Sequence, residues 1–224
     1  MTIFPLWPIW HWPLKLTTLL QTTYVQICSQ FTNDTTLIDK CWQQLHKSYN
    51  SKSRYYHNWQ HIEALLQEVE AAKHLLLDYH TVVFAVFYHD AVYNVLKKNN
   101  EMKSAELAIL HLSKMGVPLI LQQQCSELIL ATQHHVLSSN NDCNYFTDAD
   151  LSILGSPPTV YQRYAAAIRK EYIFYPDILY NKGRQKVLYH FLQMARIFKT
   201  DFFAERYEEQ ARENMKQELA RLQK

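Results

Sequence analysis

The stretch Asp78-Tyr79-His80-Thr81-Val82-Val83-Phe84-Ala85-Val86-Phe87-Tyr88-His89-Asp90 decides how this chain is read. From Val82 to Phe87 every residue is apolar. Wound as a helix, such a run is apolar on all sides, so the segment belongs at the centre of a core. It ends on an imidazole and a carboxylate. A buried charge there is costly unless it is paired or bound to metal.

Helical patterns extend outward on both sides. Leu37, Ile38, Cys41, Trp42, Leu45 and Tyr49 make one apolar helix face, and Asn33, Asp34 and Thr35 can cap it. A helix carrying Ile62, Leu65, Leu66 and Val69 is expected to start near Tyr56. After the central segment, Lys97 to Asn100 is a polar break before a helix through Leu110. Met115-Gly116-Val117-Pro118 separates that helix from one running to about His135. Ser138 to Asn144 reads as a polar loop and a short helix is expected near Asp148. Gly155-Ser156-Pro157-Pro158 ends it, and a longer helix should reach about Tyr175. Two more fill Lys182 to Phe198 and Asp201 to Leu222. The last has Glu205, Glu208 and Glu209 early and Lys216 and Arg221 late, as a helix dipole favours.

Composition agrees with this pattern. The 224 residues include only three glycines, Gly116, Gly155 and Gly183, all isolated. A dinucleotide-binding or phosphate-binding loop needs clustered glycines, and all-β folds need them in turns. With 48% hydrophobic and 20% charged residues the chain has enough apolar side chains for a substantial core. One all-α domain over residues 15–224 is the simplest account, preceded by an aromatic and proline arm over residues 1–14. In that arm Phe4, Trp7, Trp10 and Trp12 alternate with Pro5, Pro8 and Pro13. It lacks the basic start and continuous apolar stretch of a signal peptide, and no run long enough for a membrane span follows.

The formal net charge is +2, with no long run of one sign, which gives no footprint for a nucleic acid polymer. Cys28, Cys41, Cys125 and Cys143 have no paired spacing and read as reduced thiols of a cytoplasmic protein.

The chemistry is carried by four separated pieces: Tyr56-His57-Asn58-Trp59-Gln60-His61, Tyr88-His89-Asp90, Gln133-His134-His135 and Asp148-Ala149-Asp150-Leu151. On a helix, His57 and His61 would lie about 40° apart around the axis and roughly 6 Å apart along it. Each piece has a plain structural reading: a surface histidine pair, a capping aspartate beside a core histidine, helix-end histidines, and first-turn helix acids. Together they supply nitrogen and oxygen donors suited to Mn, Fe, Co, Ni or Zn, with Mg possible where oxygens dominate. Without a thiol, a structural zinc site is disfavoured.

The order of a histidine, the His89-Asp90 doublet and a distant aspartate in Ala149-Asp150-Leu151 resembles the HD superfamily of metal-dependent phosphohydrolases. Further segments resemble an uncharacterised bacterial branch, the predicted metal-dependent HD phosphohydrolases. They are Arg54-Tyr55-Tyr56-His57-Asn58 to His61, Phe87 to Tyr93, Asn100-Glu101 to Ser104-Ala105, and Asp148 to Gly155. The likeness runs from about Tyr49 to the end, including Asn181 to Arg184 and Glu209 to Asn214. It implies a single HD-type helical domain holding one divalent ion on His61, His89, Asp90 and Asp150, with Asp148 as a cap or supporting group. The segment from Tyr56 to His61 is also similar to part of the cyclic-nucleotide phosphodiesterase site. That similarity implies that His57 protonates the leaving oxygen while His61 binds metal. In two-metal relatives a group like His135 holds a second ion, but the pattern around it departs from theirs, so one ion is expected.

The implied function is hydrolysis of a phosphate ester of a small molecule, a nucleotide being favoured. Asp90 or Asp150 would orient the water, and Arg54 and Lys103 would meet the phosphate. Glu101 would cap or support the site. Arg54 also has a plain reading as a surface salt bridge. The contrasting functions are a non-catalytic sensor that binds metal and nucleotide, and an HD-type di-iron oxygenase, which needs His135 or a neighbour as an extra ligand.

Overall fold

A computed structural model describes residues 14–223, which form ten α-helices and no strand. The amino-terminal arm expected over 1–14 falls almost wholly outside the described residues. The helices are α1 (Leu14–Cys28), α2 (Thr35–Tyr49), α3 (Trp59–Ala71), α4 (Tyr79–Tyr88) and α5 (Asn100–Lys114). They continue as α6 (Leu119–Ala131), α7 (Asn141–Leu151), α8 (Pro158–Glu171), α9 (Asp177–Gln193) and α10 (Asp201–Leu222). The all-α, single-domain expectation is met.

The α4 helix is the hub. Every residue from Thr81 to Tyr88 is buried, and α3, α5, α6 and α7 pack around it. Asp78 caps it by accepting the Thr81 N–H. Its all-round apolarity leaves it no solvent face, which is why it takes the middle position. The α10 helix closes the other side, packing on α7, α9 and the 3₁₀ turn Ser152–Gly155. The α1 helix buries Leu20, Tyr24, Ile27 and Cys28 against this core. Their i, i+4, i+7, i+8 spacing is regular, but interleaved threonines mask it in the sequence. None of the described helices is long and apolar enough to cross a membrane.

Several helix boundaries depart from the sequence pattern, and the departures matter for the site. The α3 helix begins at Trp59, not Tyr56, because the Asn58 side chain caps it by accepting the Gln60 N–H. The α6 helix stops at Ala131, four residues before His135. The α7 helix starts at Asn141, inside the expected polar loop, where Asn140 caps it by accepting the Asp142 N–H. Asp148 and Asp150 therefore lie in its last turn, not its first. The α8 and α9 helices also end earlier than expected, at Glu171 and Gln193.

One device recurs at the joints: a carboxylate collects two consecutive backbone N–H groups from a distant loop. Asp142 takes those of Leu77 and Asp78, and Asp148 those of Lys199 and Thr200. Glu171 takes those of Tyr56 and His57, and Glu208 those of Ile197 and Phe198. Loop N–H groups have no ladder partner, so these charge-assisted bonds both satisfy them and fix the loops.

Candidate metal centre

Two helix C-termini meet at the site. His89 is the cap residue of α4, Asp90 follows it, and Asp150 lies one residue before the end of α7. The C-terminal end of a helix carries partial negative charge, which opposes an aspartate by about 0.3–1 kcal/mol. Two carboxylates placed there need positive charge from outside the two helices. His61 arrives from the first turn of α3, where the positive helix end opposes protonation of its ring.

The donor atoms converge. His61 Nε2 lies 3.0 Å from His89 Nε2 and 3.3 Å from Asp150 Oδ1. His89 Nε2 lies 3.2 Å from Asp90 Oδ2 and 3.7 Å from Asp150 Oδ1. Asp90 Oδ2 is 3.7 Å from His61 Nε2. Two ligands about 2.1 Å from one ion and at right angles would stand roughly 3 Å apart, so these spacings fit a shared cation. His61, His89 and Asp90 form a group that could hold a metal ion, and Asp150 extends it through both histidines.

Ring orientation supports the same reading. His89 Nδ1 lies 3.0 Å from the Val86 carbonyl. A carbonyl only accepts, so Nδ1 carries a proton and Nε2 is the ring nitrogen turned to the centre. Burial opposes charging of His89, but Asp90 and Asp150 outweigh it and lift its pKa to about 9. Burial dominates at His61 and lowers its pKa despite Asp150. Burial also disfavours the charged carboxylates, yet the surrounding imidazoles hold Asp90 and Asp150 below the usual carboxylate range. The pocket thus calls for positive charge between buried donors. Two imidazole nitrogens and two carboxylate oxygens fit Mn, Fe, Co, Ni or Zn, and Mg less well.

His135 takes a left-handed conformation, with φ of 52°. Glycine or asparagine usually fills such a position after a helix end. Here the turn delivers a ring whose Nε2 lies 3.0 Å from Asp150 Oδ2, on the oxygen that does not face His61. His135 therefore positions Asp150. Asp148 is fully buried and spent elsewhere: it accepts from Lys199 N, Thr200 N and Thr200 Oγ1, and lies 3.3 Å from Lys199 Nζ. It anchors the two residues that lead into α10, and it is not among the groups that converge on the centre.

The loop before α3 carries His57, so His57 and His61 do not share a helix face as their spacing suggested. His57 Nδ1 lies 2.6 Å from Glu171 Oε2, while its Nε2 lies 3.9 Å from Asp90 Oδ2. The Tyr93 ring lies against it, centroids 4.2 Å apart, and Tyr93 donates its hydroxyl to the same carboxylate. Burial opposes charging of His57, but Asp90 and the Glu171 hydrogen bond overcome it and raise its pKa above the ordinary value. Glu171 has no counterpart among the sequence-derived candidates. It stands more than a hundred residues from His57 at the end of α8, and only folding brings them together.

Arg54 is buried and already engaged. Its guanidinium donates to the carbonyls of His57, Asp90 and Ala91, and stacks over Tyr49 and Tyr93. It was expected to meet the phosphate. The structure gives it to the carbonyls after α4, where a cation is favoured, and so it ties the His57 loop to Asp90. Lys103 is exposed and paired with Glu106 at 2.7 Å, and the structure does not bring it to the site. Glu101 does line the cleft. That cleft, about 720 Å³, has His57, His89, Asp90, His135 and Asp150 in its wall.

No family model and no curated protein matches this chain.

Proposed function

We propose that the protein is a metal-dependent phosphohydrolase acting on a phosphate ester of a small molecule. The observation that carries this reading is the convergence of His61, His89, Asp90 and Asp150 donor atoms beside an open cleft, with the last three in its wall. When bound, a divalent ion would lower the pKa of a water and neutralise charge on phosphoryl oxygens.

The chain's own residues complete the chemistry. Protonated His57 faces the centre through Nε2 and is held by Glu171 at Nδ1. It would donate to the leaving alkoxide as general acid, a contribution of about 10²- to 10⁴-fold. Glu171 fixes the ring orientation and favours the charged form. Asp90 lies 3.2 Å from His89 Nε2 and 3.9 Å from His57 Nε2, and would orient the attacking water. His135 holds Asp150 in place from the side away from the donors. The four cysteines are free and buried, which suits a reducing compartment, and we place the protein in the cytoplasm.

The test is elemental analysis joined to a phosphate-release assay over phosphate mono- and diesters. One metal ion per chain and metal-dependent release are expected. Metal and nucleotide binding with no turnover would point to a sensor, and two irons per chain to an oxygenase. Failure to bind any divalent ion would remove the reading altogether.

A further inference from the structure

The cleft does not look the same along its length. The carboxylates and imidazoles of the centre gather at one place, and much of the remaining wall is aromatic and aliphatic, interrupted by Gln133, His134, Arg184, Lys186 and His190. Tyr93, Tyr164 and Tyr175 line it, and their hydroxyls are engaged by Glu171, Arg184 and the Val95 carbonyl. What they offer a ligand is ring surface. Leu179, Val187 and Phe191 continue the wall along α9. Leu179 is 58% exposed and Val187 44%. Beside them, around the turn from α8 to α9, Ile173, Phe174 and Ile178 are also exposed. Exposed apolar side chains scattered singly mean little, but Leu179 and Val187 are exposed on the wall of a cleft, where apolar surface serves binding.

Charge is sparse in the same wall. Its two Lys and Arg residues are Arg184 and Lys186. Arg184 is held by Glu218 in a two-point ion pair, Nε to Oε1 at 2.8 Å and Nη2 to Oε2 at 2.9 Å. Arg54 serves backbone carbonyls and Lys103 serves Glu106. Beyond the histidines, Lys186 is the remaining cation of the wall. A divalent ion balances Asp90 and Asp150 and leaves little positive charge over. One phosphate can be accommodated by this set. A nucleoside di- or triphosphate brings further charge, with no arginine or lysine cluster to receive it.

We infer that the substrate is a phosphate monoester whose organic part is apolar, an alkyl or aryl phosphate, with its tail lying along the tyrosine and α9 wall. This rests on the phosphohydrolase reading of the centre and narrows it away from nucleotides. Burying successive methylenes against that wall should strengthen binding stepwise.

The experiment uses manganese-loaded full-length protein and measures phosphate release from ethyl, octyl and p-nitrophenyl phosphate, adenosine monophosphate and adenosine triphosphate. Non-hydrolysable ethyl- and octylphosphonate are titrated by calorimetry in parallel. The octyl ester should exceed the ethyl ester in kcat/KM by about tenfold or more, and octylphosphonate should bind correspondingly tighter, with a negative heat-capacity change. In Leu179→Asp and Val187→Asp the octyl-to-ethyl ratio should fall about tenfold. Turnover that is indifferent to chain length, or fastest on either adenine nucleotide, overturns the inference and leaves the hydrolase reading standing. Chain-length-dependent phosphonate binding with no ester hydrolysed does the reverse: the tail site stands and the hydrolase reading falls. Neither turnover nor phosphonate binding removes both.

Discussion

His57 and His61 are four residues apart, yet the helix cap at Asn58 falls between them and gives them different surroundings. His61 points a neutral ring into the donor cluster, and His57 is clamped by Glu171 outside the helix. His61→Ala should lose the metal and all turnover. His57→Ala should keep the metal, and slow poor leaving groups by about 10²-fold or more while affecting p-nitrophenyl phosphate much less. Metal content and both rates measured on the two variants decide the matter, and metal loss in His57→Ala would make it a ligand. A second histidine reports on stability. His111 is buried, with Nδ1 2.9 Å from the Tyr88 hydroxyl and Nε2 3.1 Å from Gln44 Oε1. Burial pushes its pKa down to about 4. Its folded pKa lies below its unfolded value of about 6.5, so the unfolded chain takes up the proton first. The stability contributed by neutral His111 is complete above pH 6.5 and is lost as pH falls toward 4. In urea titrations at pH 7 and pH 4.5, wild type should lose more stability between the two than His111→Gln does.

The register of α7 sets the chemistry at the scale of an element. A start at Asp148 would place both aspartates at a positive helix end, where they would be ordinary first-turn acids. Starting at Asn141 instead puts them at the negative end, so Asp148 needs Lys199 and Asp150 needs the histidines. The following 3₁₀ turn packs against α10 at its closest through Gly155. A Cβ there would sit 2.6 Å from both Tyr207 Cβ and Tyr207 O, inside van der Waals contact with backbone that cannot move alone. Gly155→Ala should cost about 1–3 kcal/mol. Gly183, in the middle of α9, has nothing within 4 Å of such a Cβ. Gly183→Ala should stabilise by about 0.5–1 kcal/mol, because alanine is the better helix former. Denaturant midpoints for the pair separate close packing from backbone entropy.

At the scale of the whole molecule, the centre joins α3, α4 and α7, and the histidine that serves it is held by the end of α8. An ion bound only by the native state adds to stability. At free metal a thousandfold above Kd the gain is about 4 kcal/mol, which in a domain of this size corresponds to on the order of 10 °C in Tm. Chelation should lower the melting temperature by that order, and restoring the ion should recover it. In His61→Ala the chelator should have almost no effect on melting.

The helical class and the central place of α4 were legible in the chain itself, whereas the set His61, His89, Asp90 and Asp150 came from the family resemblance, and the structure brings those four side chains together. An uninterrupted apolar run, scarce glycine and carboxylates beside imidazoles are local properties, and each constrains structure without reference to distant residues. The starts of α3 and α7 differ from the pattern because a side-chain cap competes with hydrophobic periodicity, and the pattern alone does not reveal which wins. Glu171 on His57, Asp148 on Lys199 and Thr200, and Arg54 on the carbonyls after α4 were invisible for a different reason. A carboxylate or guanidinium can satisfy any group of opposite polarity within reach, and no periodicity records which one it meets. Those pairings were decided only when the packing of apolar faces brought the loop ends together, and they separate the groups that build the site from those left free to act in it.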